Sequence, residues 1–234
     1  MPRKRIVIVA AMRRELAPLL RDVKAIRNDR VEFFELEAAA VAIGGIGRVA
    51  ARRTAEAAIV KYAPGLIVSA GVAGALVAKL KVGDVLQANE VVDADSGKRF
   101  EHLGGQFVIA TVSSVSGPAE KISLAERWRA EVVDMEAASV AGVAQTRGIE
   151  FAAVKAISDE LEFAMPPVAG FVDDAGRFQT LRFATYIAVR PEWWKAVRQL
   201  NANSRLAAVN LSEALKHLIS ARSLISQEEK IARA

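Results

Sequence analysis

The sequence predicts an α/β protein, a three-layer α/β/α sandwich with a central mixed, mostly parallel sheet. Two observations support this prediction. Short apolar runs rich in β-branched residues, such as 6–9, alternate along the chain with longer segments of helical periodicity, such as 48–62. The length of 234 residues, with 52% hydrophobic and 25% charged residues, fits one folded domain over 1–234.

In the first half of the chain, apolar runs mark the strands and helical spacing marks the helices. The run 6–9 is continuous and β-branched, as in a strand that is buried on both faces. The apolar residues between Leu16 and Val23 recur on one helix face, and Pro64-Gly65 ends the second helix. Strands are predicted at 5–10, 31–39, 41–44 and 66–70, and helices at 12–25 and 48–62.

The second half of the chain continues the alternation. Gly148 is typical of a helix C-cap, and Pro191 suits the first position of a long helix that breaks near 201–203. The segment 162–177 contains two prolines and two glycines and is predicted to be a loop. Strands are predicted at 84–93, 106–112 and 151–157, and helices at 121–129, 137–146 and 191–223.

The composition argues against several classes of protein. The chain has no cysteine, so we expect no disulfide and no thiolate metal site, as is typical of a cytoplasmic protein. The net charge is +5, but the basic residues are scattered and not interleaved with aromatics, so we expect no nucleic-acid binding. His102 and His217 are the only histidines and have no acidic cluster around them. We therefore expect no metal, no cofactor and no Ser-His-Asp triad.

Two glycine-rich segments follow predicted strands. Residues 44–47 read Gly-Gly-Ile-Gly between a strand and a helix, where free N–H groups can hold an oxygen-rich ligand. This segment matches neither the dinucleotide fingerprint nor the P-loop, and a purely structural turn is the alternative. Residues 69–74 are small and lead from the end of a predicted strand into a predicted tight loop at 71–74, against which a flat group can lie. Strand-to-loop packing is the alternative there.

Three carboxylates lie next to the ends of predicted elements, namely Glu15, Glu136 and Asp159. Ligands of parallel α/β proteins bind at the carboxyl ends of strands. One acid there can hold sugar hydroxyls, another can give a proton to a leaving base, and a third can polarise a water. This combination points to cleavage of an N-glycosidic bond. Each residue also has a structural explanation, as an exposed helix residue, a partner of the helix dipole or a turn cap.

Six segments between residues 5 and 160 carry a resemblance when they are taken together and in order, namely Ala10–Glu15, Gly44–Ala51, Ser69–Gly74, Leu80–Val85, Val133–Ala137 and Val154–Asp159. They resemble the nucleoside phosphorylase/nucleosidase superfamily, in particular the 5′-methylthioadenosine/S-adenosylhomocysteine nucleosidases. The resemblance implies an enzyme of purine-nucleoside catabolism, a homodimeric N-ribosyl hydrolase acting on an adenosine-type nucleoside with a 5′ substituent.

The resemblance also implies roles for the site residues. Asp159 matches the general acid that protonates N7 of the purine, and Glu15 matches the residue that activates the attacking water. Such an arrangement resembles that of an inverting glycosidase. Asp159 must hold a proton near neutral pH, which calls for burial or a neighbouring anion. Glu136 would bind the ribose hydroxyls. The full set of predicted substrate-binding residues is Glu136, Met135, Ala70, Gly71, Ile46 and Gly47.

Phosphate is the alternative nucleophile. Arg13, Arg14 and Arg48 could form a phosphate pocket, as a phosphorylase requires. Glu15 would lie near that phosphate and repel it, so water is the favoured nucleophile.

Two segments depart from the methylthioadenosine enzymes. Those enzymes carry a Gly-Asp-Ala-Phe-like stretch whose aromatic ring stacks on adenine, whereas residues 110–117 of this chain offer no counterpart. A non-catalytic nucleoside-binding relic of the fold is therefore a further alternative. The loop 166–176 looks more like a hopanoid-associated branch, whose members resemble an adenosylhopane nucleosidase or phosphorylase. Trp193 and Trp194 beside Lys195 would then suit peripheral membrane contact, with packing in the core or a dimer interface as the alternative.

Overall fold

The structure is a computed structural model that describes residues 6–101 and 103–231, and side chains as far as residue 224. His102 lies outside the described residues. The strands are β1 (Ile6–Ala10), β2 (Ala25–Asn28), β3 (Val31–Glu35), β4 (Ala39–Ile43), β5 (Leu66–Ala75), β6 (Val85–Asp93), β7 (Arg99–Phe100), β8 (Phe107–Thr111), β9 (Val132–Asp134) and β10 (Glu150–Asp159). The α-helices are α1 (Arg48–Tyr62), α2 (Pro118–Trp128), α3 (Ala137–Arg147), α4 (Thr180–Ala188) and α5 (Trp194–Ile231).

The strands form one mixed sheet in the order β10-β6-β8-β9-β5-β1-β4-β3-β2, with β7 beside β6. Strand β10 also pairs with β5, so β5, β9, β8, β6 and β10 close into a ring. Strands β1, β4, β5 and β10 run parallel, while the pairings of β10 with β6 and of β5 with β9 are antiparallel. The α/β prediction is confirmed, although parallel and antiparallel pairings are equally frequent among the described strands.

Helices cover both faces of the sheet. Helices α1 and α3 bury alanines and valines against alternate residues of β1, β4 and β5. Helix α5 lies on the other face, where Ala207, Leu211 and Leu215 pack on the remaining residues of the same strands. Helix α2 covers the strands of the closed ring, where it packs on a further hydrophobic cluster that contains Leu76 and Val133. The predicted three layers are therefore present around the parallel strands.

Three predicted elements differ from the structure. The segment 12–25 contains only a 3-10 turn at Arg13–Leu16, because Pro18 cannot continue a helix, and the chain then enters β2. The predicted loop at Gly71–Gly74 is instead a continuation of β5, because β10 pairs with it as far as Gly74. The long helix shows no break near 201–203 and runs as α5 from Trp194.

Strands β5 and β10 extend well beyond their parallel neighbour. Strand β1 pairs with β5 only from Leu66 to Ser69, whereas β10 follows β5 past that point. The projecting ends of β5 and β10 therefore form a platform at the carboxyl edge of the parallel strands, where β6 pairs with part of β10 and β9 with the last residues of β5. Within the described part of the chain, no helix has both the length and the apolar character that crossing a membrane requires.

Candidate active site

Glu15 is buried at the carboxyl end of β1, with 5% of its surface exposed. It lies on the 3-10 turn after the strand, and its Oε2 accepts the N–H of Met12 at 3.0 Å. On its other side is Gly71 of β5, where a methyl group would lie 3.5 Å from the carboxylate. Burial raises the pKa of Glu15, against the opposing effects of the Met12 N–H and the charge of Lys155. The alternative explanation of Glu15 as an exposed helix residue is therefore wrong, because the carboxylate is buried.

Glu136 lies between β9 and α3 and is held by the glycine turn. Its Oε1 accepts the N–H of Gly47 at 2.8 Å. Gly47 has a φ of 89°, a left-handed conformation that favours glycine. The glycine turn is predicted to hold a ligand through free N–H groups, but two of these groups already have partners in the protein. The N–H of Gly47 donates to Glu136, and the N–H of Ile46 donates to the carbonyl of Gly176 at 2.8 Å.

The surroundings of Glu136 favour its neutral form. Burial is the largest cause and raises its pKa to about 7; Lys155 opposes this, and the carboxylates of Asp134 and Glu15 add to it. Glu15 and Glu136, 121 residues apart in sequence, are therefore electrostatic neighbours. The tertiary structure brings these two predicted site residues together.

Lys155 is a central residue of the site that the sequence reasoning missed. It lies on β10 with 1% of its surface exposed, and its Nζ is 2.8 Å from Oδ2 of Asp134. Burial alone would lower its pKa, but the carboxylates of Asp134, Glu136 and Glu15 outweigh burial and the pKa of Lys155 is raised. A signal was available in the sequence, because a lysine interrupts the otherwise apolar strand core of β10.

Asp134 anchors this cluster and was also missed as a separate residue. Its Oδ1 accepts the hydroxyl of Thr111 at 2.6 Å, and its Oδ2 accepts the N–H of Ala137 at 2.8 Å. The second bond caps the start of α3, which sets the position of the preceding Glu136. Asp134 therefore ties together the ends of β8, β9 and β10 and the first turn of α3.

Asp159 ends β10 and is paired with a second buried lysine. Its Oδ2 lies 2.5 Å from Nζ of Lys121, and its Oδ1 accepts the hydroxyl of Ser158 at 2.8 Å. Lys121 is 1% exposed and also donates to the carbonyl of Glu160 at 2.8 Å. The residue was expected to have burial or a neighbouring anion. It is buried at 4% exposure, but its immediate partner is a cation.

Gly74 of β5 leaves the space in which this second pair lies. A methyl group there would be 2.8 Å from Oδ2 of Asp159 and 3.2 Å from Cε of Lys121. Asp159 is four residues beyond Lys155 on the same strand, roughly 13 Å at the usual rise per residue. The register of β10 against β5 shifts between these two residues, and Gly71 and Gly74, which adjoin the two lysine-containing clusters, are three residues apart on β5. Among the described residues, Asp159 is not one of the groups that act on Glu15, Glu136 or Lys155.

Two predicted contact residues have other neighbours in the structure. The side chain of Ala70 is buried in the core under α5, which leaves only its backbone near the platform. Met135 is half-buried and packs against the cluster that contains Val92 and Val133. Among the small residues of β5, those that adjoin the charged groups are Gly71 and Gly74.

The arginines predicted as a phosphate pocket are engaged elsewhere. Arg48 forms two hydrogen bonds to Asp93, at 2.8 and 2.9 Å, and a third to the carbonyl of Thr111. Arg13 and Arg14 lie over the rings of Phe34 and Phe178. Both also line a separate cavity of about 690 Å³, and none of the three predicted carboxylates contributes to its lining.

The described residues contain no group of three or more histidine, aspartate or glutamate side chains arranged to hold a metal ion. The charged groups described at the site are carboxylates and lysines. One end offers a carboxylate of raised pKa that can accept a proton, and the other offers an acid paired with an ammonium group.

Comparison with known proteins places this geometry in context. The sequence profile of the Phosphorylase superfamily matches residues 5–112 and 104–180. An aminodeoxyfutalosine nucleosidase from Helicobacter pylori is 28% identical over 200 residues, covering 68% of this chain and 87% of that protein. A 5′-methylthioadenosine/S-adenosylhomocysteine nucleosidase from Staphylococcus haemolyticus is 39% identical over 95 residues, or 38% of this chain and 42% of that protein.

A solved structure shares the fold over nearly the whole chain. It is the 5′-methylthioadenosine/S-adenosylhomocysteine nucleosidase from Neisseria meningitidis in complex with methylthio-immucillin-A. The match has a TM-score of 0.71 and 21% identity, and covers 93% of this chain and 99% of that chain. At this identity the likeness supports the architecture, and the chemistry has to be argued from the site.

Proposed function

This chain belongs to the Phosphorylase superfamily, and we propose that it is a nucleosidase. It cleaves the N-glycosidic bond of an adenosine-type nucleoside that carries a 5′ substituent, with water as the nucleophile. The single observation that carries the proposal is the convergence of Glu15, Glu136 and Lys155 from three distant parts of the chain onto the end of one strand platform. The similar proteins from Helicobacter pylori and Staphylococcus haemolyticus are both named as nucleosidases.

The end of the platform near Glu15 suits the sugar and the attacking water. Glu136 has one oxygen fixed by Gly47, which leaves the other to accept a ribose hydroxyl. Glu15 is a buried carboxylate of raised pKa, and a base whose pKa lies nearer neutrality is better matched to proton abstraction from water. The positive charge of Lys155 reduces the electrostatic repulsion between the carboxylates of Glu15 and Glu136.

The other end suits the leaving base. The C1′–N9 bond of a purine nucleoside breaks through an oxocarbenium-like state, so the base must gain a proton as it leaves. In this proposal Asp159, at the end of β10, delivers that proton to N7.

Water rather than phosphate is supported by where the cations lie. A phosphorylase needs arginine or lysine groups that are free to bind phosphate. Arg48 is already paired with Asp93, Arg13 and Arg14 line a different cavity, and Lys155 faces three carboxylates. A phosphate beside Glu15 would also meet a like charge.

The test is release of free base from methylthioadenosine, adenosylhomocysteine, adenosine and inosine, each with and without phosphate. We expect release without phosphate and a preference for the adenine nucleosides with a 5′ substituent. Glu15→Gln and Asp159→Asn should each lower kcat by about 10²- to 10⁴-fold. Lys81→Met, which changes an exposed lysine paired with Glu160, is the matched control and should keep the wild-type rate. Release of base only in the presence of phosphate would show that the protein is a phosphorylase. Full activity of Asp159→Asn would show that Asp159 is not the general acid.

We also propose that the protein is a cytoplasmic homodimer. Helix α1 exposes Val49 and Val60, which are eleven residues and about three turns apart and therefore share a face. Light scattering should give twice the mass of the chain, and Val60→Glu should reduce it. A mass of one chain for the wild type would contradict the dimer.

A lipid-linked nucleoside, as in the adenosylhopane branch, is the more specific form of the substrate proposal. It is supported by Leu181, Val189 and Trp194, which are exposed along α4 and the start of α5. Peripheral contact with a membrane would follow from such a face. Co-sedimentation with vesicles that contain anionic lipid should then capture the protein, and no binding would count against the lipid-linked substrate.

A further inference from the structure

We infer that Lys121 holds the proton that Asp159 passes to the leaving base, so that the buried pair, rather than Asp159 alone, is the acid of the reaction. This inference rests on the proposed nucleosidase activity and concerns a residue outside the predicted site. Lys121 acts through Asp159, and it is therefore a positioning and proton-holding residue.

The contacts of Asp159 lead to this inference. A general acid has to carry a proton before it can give one away. Both oxygens of Asp159 already accept hydrogen bonds, Oδ2 from Lys121 at 2.5 Å and Oδ1 from the hydroxyl of Ser158 at 2.8 Å. In such an ion pair the shared proton resides on the lysine nitrogen. The nearest source of a proton for the base is thus the ammonium group of Lys121.

The burial of Lys121 shows that the site is built around this pair. Lysine is almost never fully buried without a partner, because losing its hydration costs several kcal/mol. Here the side chain is 1% exposed, and the carbonyl of Glu160 accepts a second hydrogen bond at 2.8 Å. Gly74 has no side chain at the one place where a methyl group would press on both partners.

The position of Lys121 in the sequence fits a role at the base. It lies in the first turns of α2, just after residues 110–117, where the stacking aromatic of the methylthioadenosine enzymes has no counterpart. The helix that follows this segment therefore directs the ammonium group of Lys121 at Asp159.

The proposed step balances in atoms and charge. As the C1′–N9 bond breaks, its electron pair goes to the base. A proton moves from Lys121 to Oδ2 of Asp159, and from Asp159 to N7. Water forms the new bond to C1′ and gives its proton to Glu15. The products are the neutral base and the free sugar, with Lys121 as an amine, Asp159 as a carboxylate and Glu15 protonated. The proton on Glu15 returns to Lys121 through solvent once the products leave.

The alternative is that the pair only stabilises the fold. A buried ion pair is weak evidence for stability, since apolar replacements of similar volume are often tolerated. A structural role would lower the rate equally for all substrates. A proton-holding role would matter only where the leaving group needs a proton, and this difference can be measured.

The experiment compares an adenine nucleoside with 4-nitrophenyl β-D-ribofuranoside, whose leaving group departs as a stable anion. The variants are Lys121→Met, Lys121→Arg and the exposed control Lys81→Met, each assayed at a temperature well below its own thermal unfolding midpoint. We expect Lys121→Met to lose about 10²- to 10⁴-fold in kcat on the nucleoside and less than about tenfold on the nitrophenyl riboside. Lys121→Arg should not rescue the nucleoside reaction, because a guanidinium keeps its charge but does not give up its proton.

Equal losses on both substrates, or a wild-type rate for Lys121→Arg on the nucleoside, would overturn the inference. If the wild type does not cleave the nitrophenyl riboside, the arginine variant decides the matter by itself: a loss of about 100-fold in kcat at unchanged KM supports the inference. If the wild type releases base from none of the nucleosides, the proposed nucleosidase activity itself is refuted. This outcome is visible from the wild type alone and does not depend on the variants.

Discussion

Two buried lysine–aspartate pairs lie along the same strand platform and differ in what else holds them. Lys155 on β10 and Asp134 on β9 join the two strands that pair with β5 on its opposite edges, and Asp134 is fixed by Thr111 and by the N–H of Ala137 as well. Lys121 comes from α2, and within the described part of the chain the carboxylate of its partner Asp159 accepts, besides the lysine, one bond from the hydroxyl of the adjacent Ser158. Both lysines are equally buried, so burial alone does not separate them.

The difference indicates a division of labour. A carboxylate that accepts bonds from a strand, a helix start and a lysine is a structural anchor, because displacing it would disturb three elements. A carboxylate held by one lysine and one neighbouring hydroxyl is tied to fewer elements. We therefore assign the Lys155 pair to positioning of Glu15 and Glu136, and the Lys121 pair to the chemistry.

The largest effect is expected where the anchor is broken. Lys155→Met leaves Asp134 buried without its cation and removes the charge that faces Glu15 and Glu136. Removing one partner of a buried pair costs about 3–5 kcal/mol in the free energy of unfolding. Urea denaturation measures this loss. The double variant with Asp134→Asn should recover part of it, and a loss below about 1 kcal/mol for Lys155→Met would contradict the anchoring role.

A smaller effect is expected from a methyl group at Gly74, with Gly71 as its matched control. In Gly74→Ala the new methyl lies 2.8 Å from Asp159 and 3.1 Å from Val133, so the Lys121 pair must shift, at a cost of about 1–3 kcal/mol and with loss of nucleosidase rate. In Gly71→Ala it lies 3.5 Å from Glu15, an ordinary contact, and the variant should be neutral or stabilised by about 0.4–1 kcal/mol. Thermal unfolding measures the change in stability of each variant, and release of free base measures its nucleosidase rate. Equal effects of the two substitutions on both quantities would refute the expected difference between Gly74 and Gly71.

Thr111 tests how tightly the anchor is connected. Its hydroxyl donates to Asp134 and accepts the N–H of Ala138 at 3.0 Å, so Thr111→Val leaves two buried groups short of a partner. We expect a loss of about 1–2 kcal/mol in the free energy of unfolding. Thr111→Ser keeps the hydroxyl and should lose less. If valine and serine have the same effect in denaturant titrations, the hydroxyl is not what fixes Asp134.

The smallest effect is a change in pH dependence. The pKa of Glu136 is raised from 4.5 to about 7 by burial, so the folded protein binds this proton more tightly than the unfolded chain. The stability that this carboxyl contributes is fully present below pH 4.5 and is lost as pH rises through 7. Glu136→Gln should lack this decline. The difference in unfolding free energy between wild type and variant, measured across that range, should therefore change with pH, and parallel curves would argue against the raised pKa.

The sequence by itself determined the α/β class and the elements whose signals are local. The prediction of a helix at 48–62 matches α1, because Pro64-Gly65 ends it and its alanines recur on one face. Gly148 caps α3 as predicted, since its left-handed φ of 62° is a local requirement. The six segments, in their order along the chain, also identified the superfamily. The short turn at Arg13–Leu16 could have been predicted, because Pro18 was visible in the sequence.

Only the tertiary structure decided that Gly71–Gly74 is strand, that Glu136 is held by Gly47, and that two lysines face the acids. In sequence, Lys121 looks like an ordinary residue of an exposed helix, and Lys155 like an interruption of a strand. Their importance depends on burial and on partners 38 and 21 residues away, which no local pattern encodes. The physical reason is that strand and helix signals are short-range, whereas the charge balance of a buried site is set by which strands come to lie side by side.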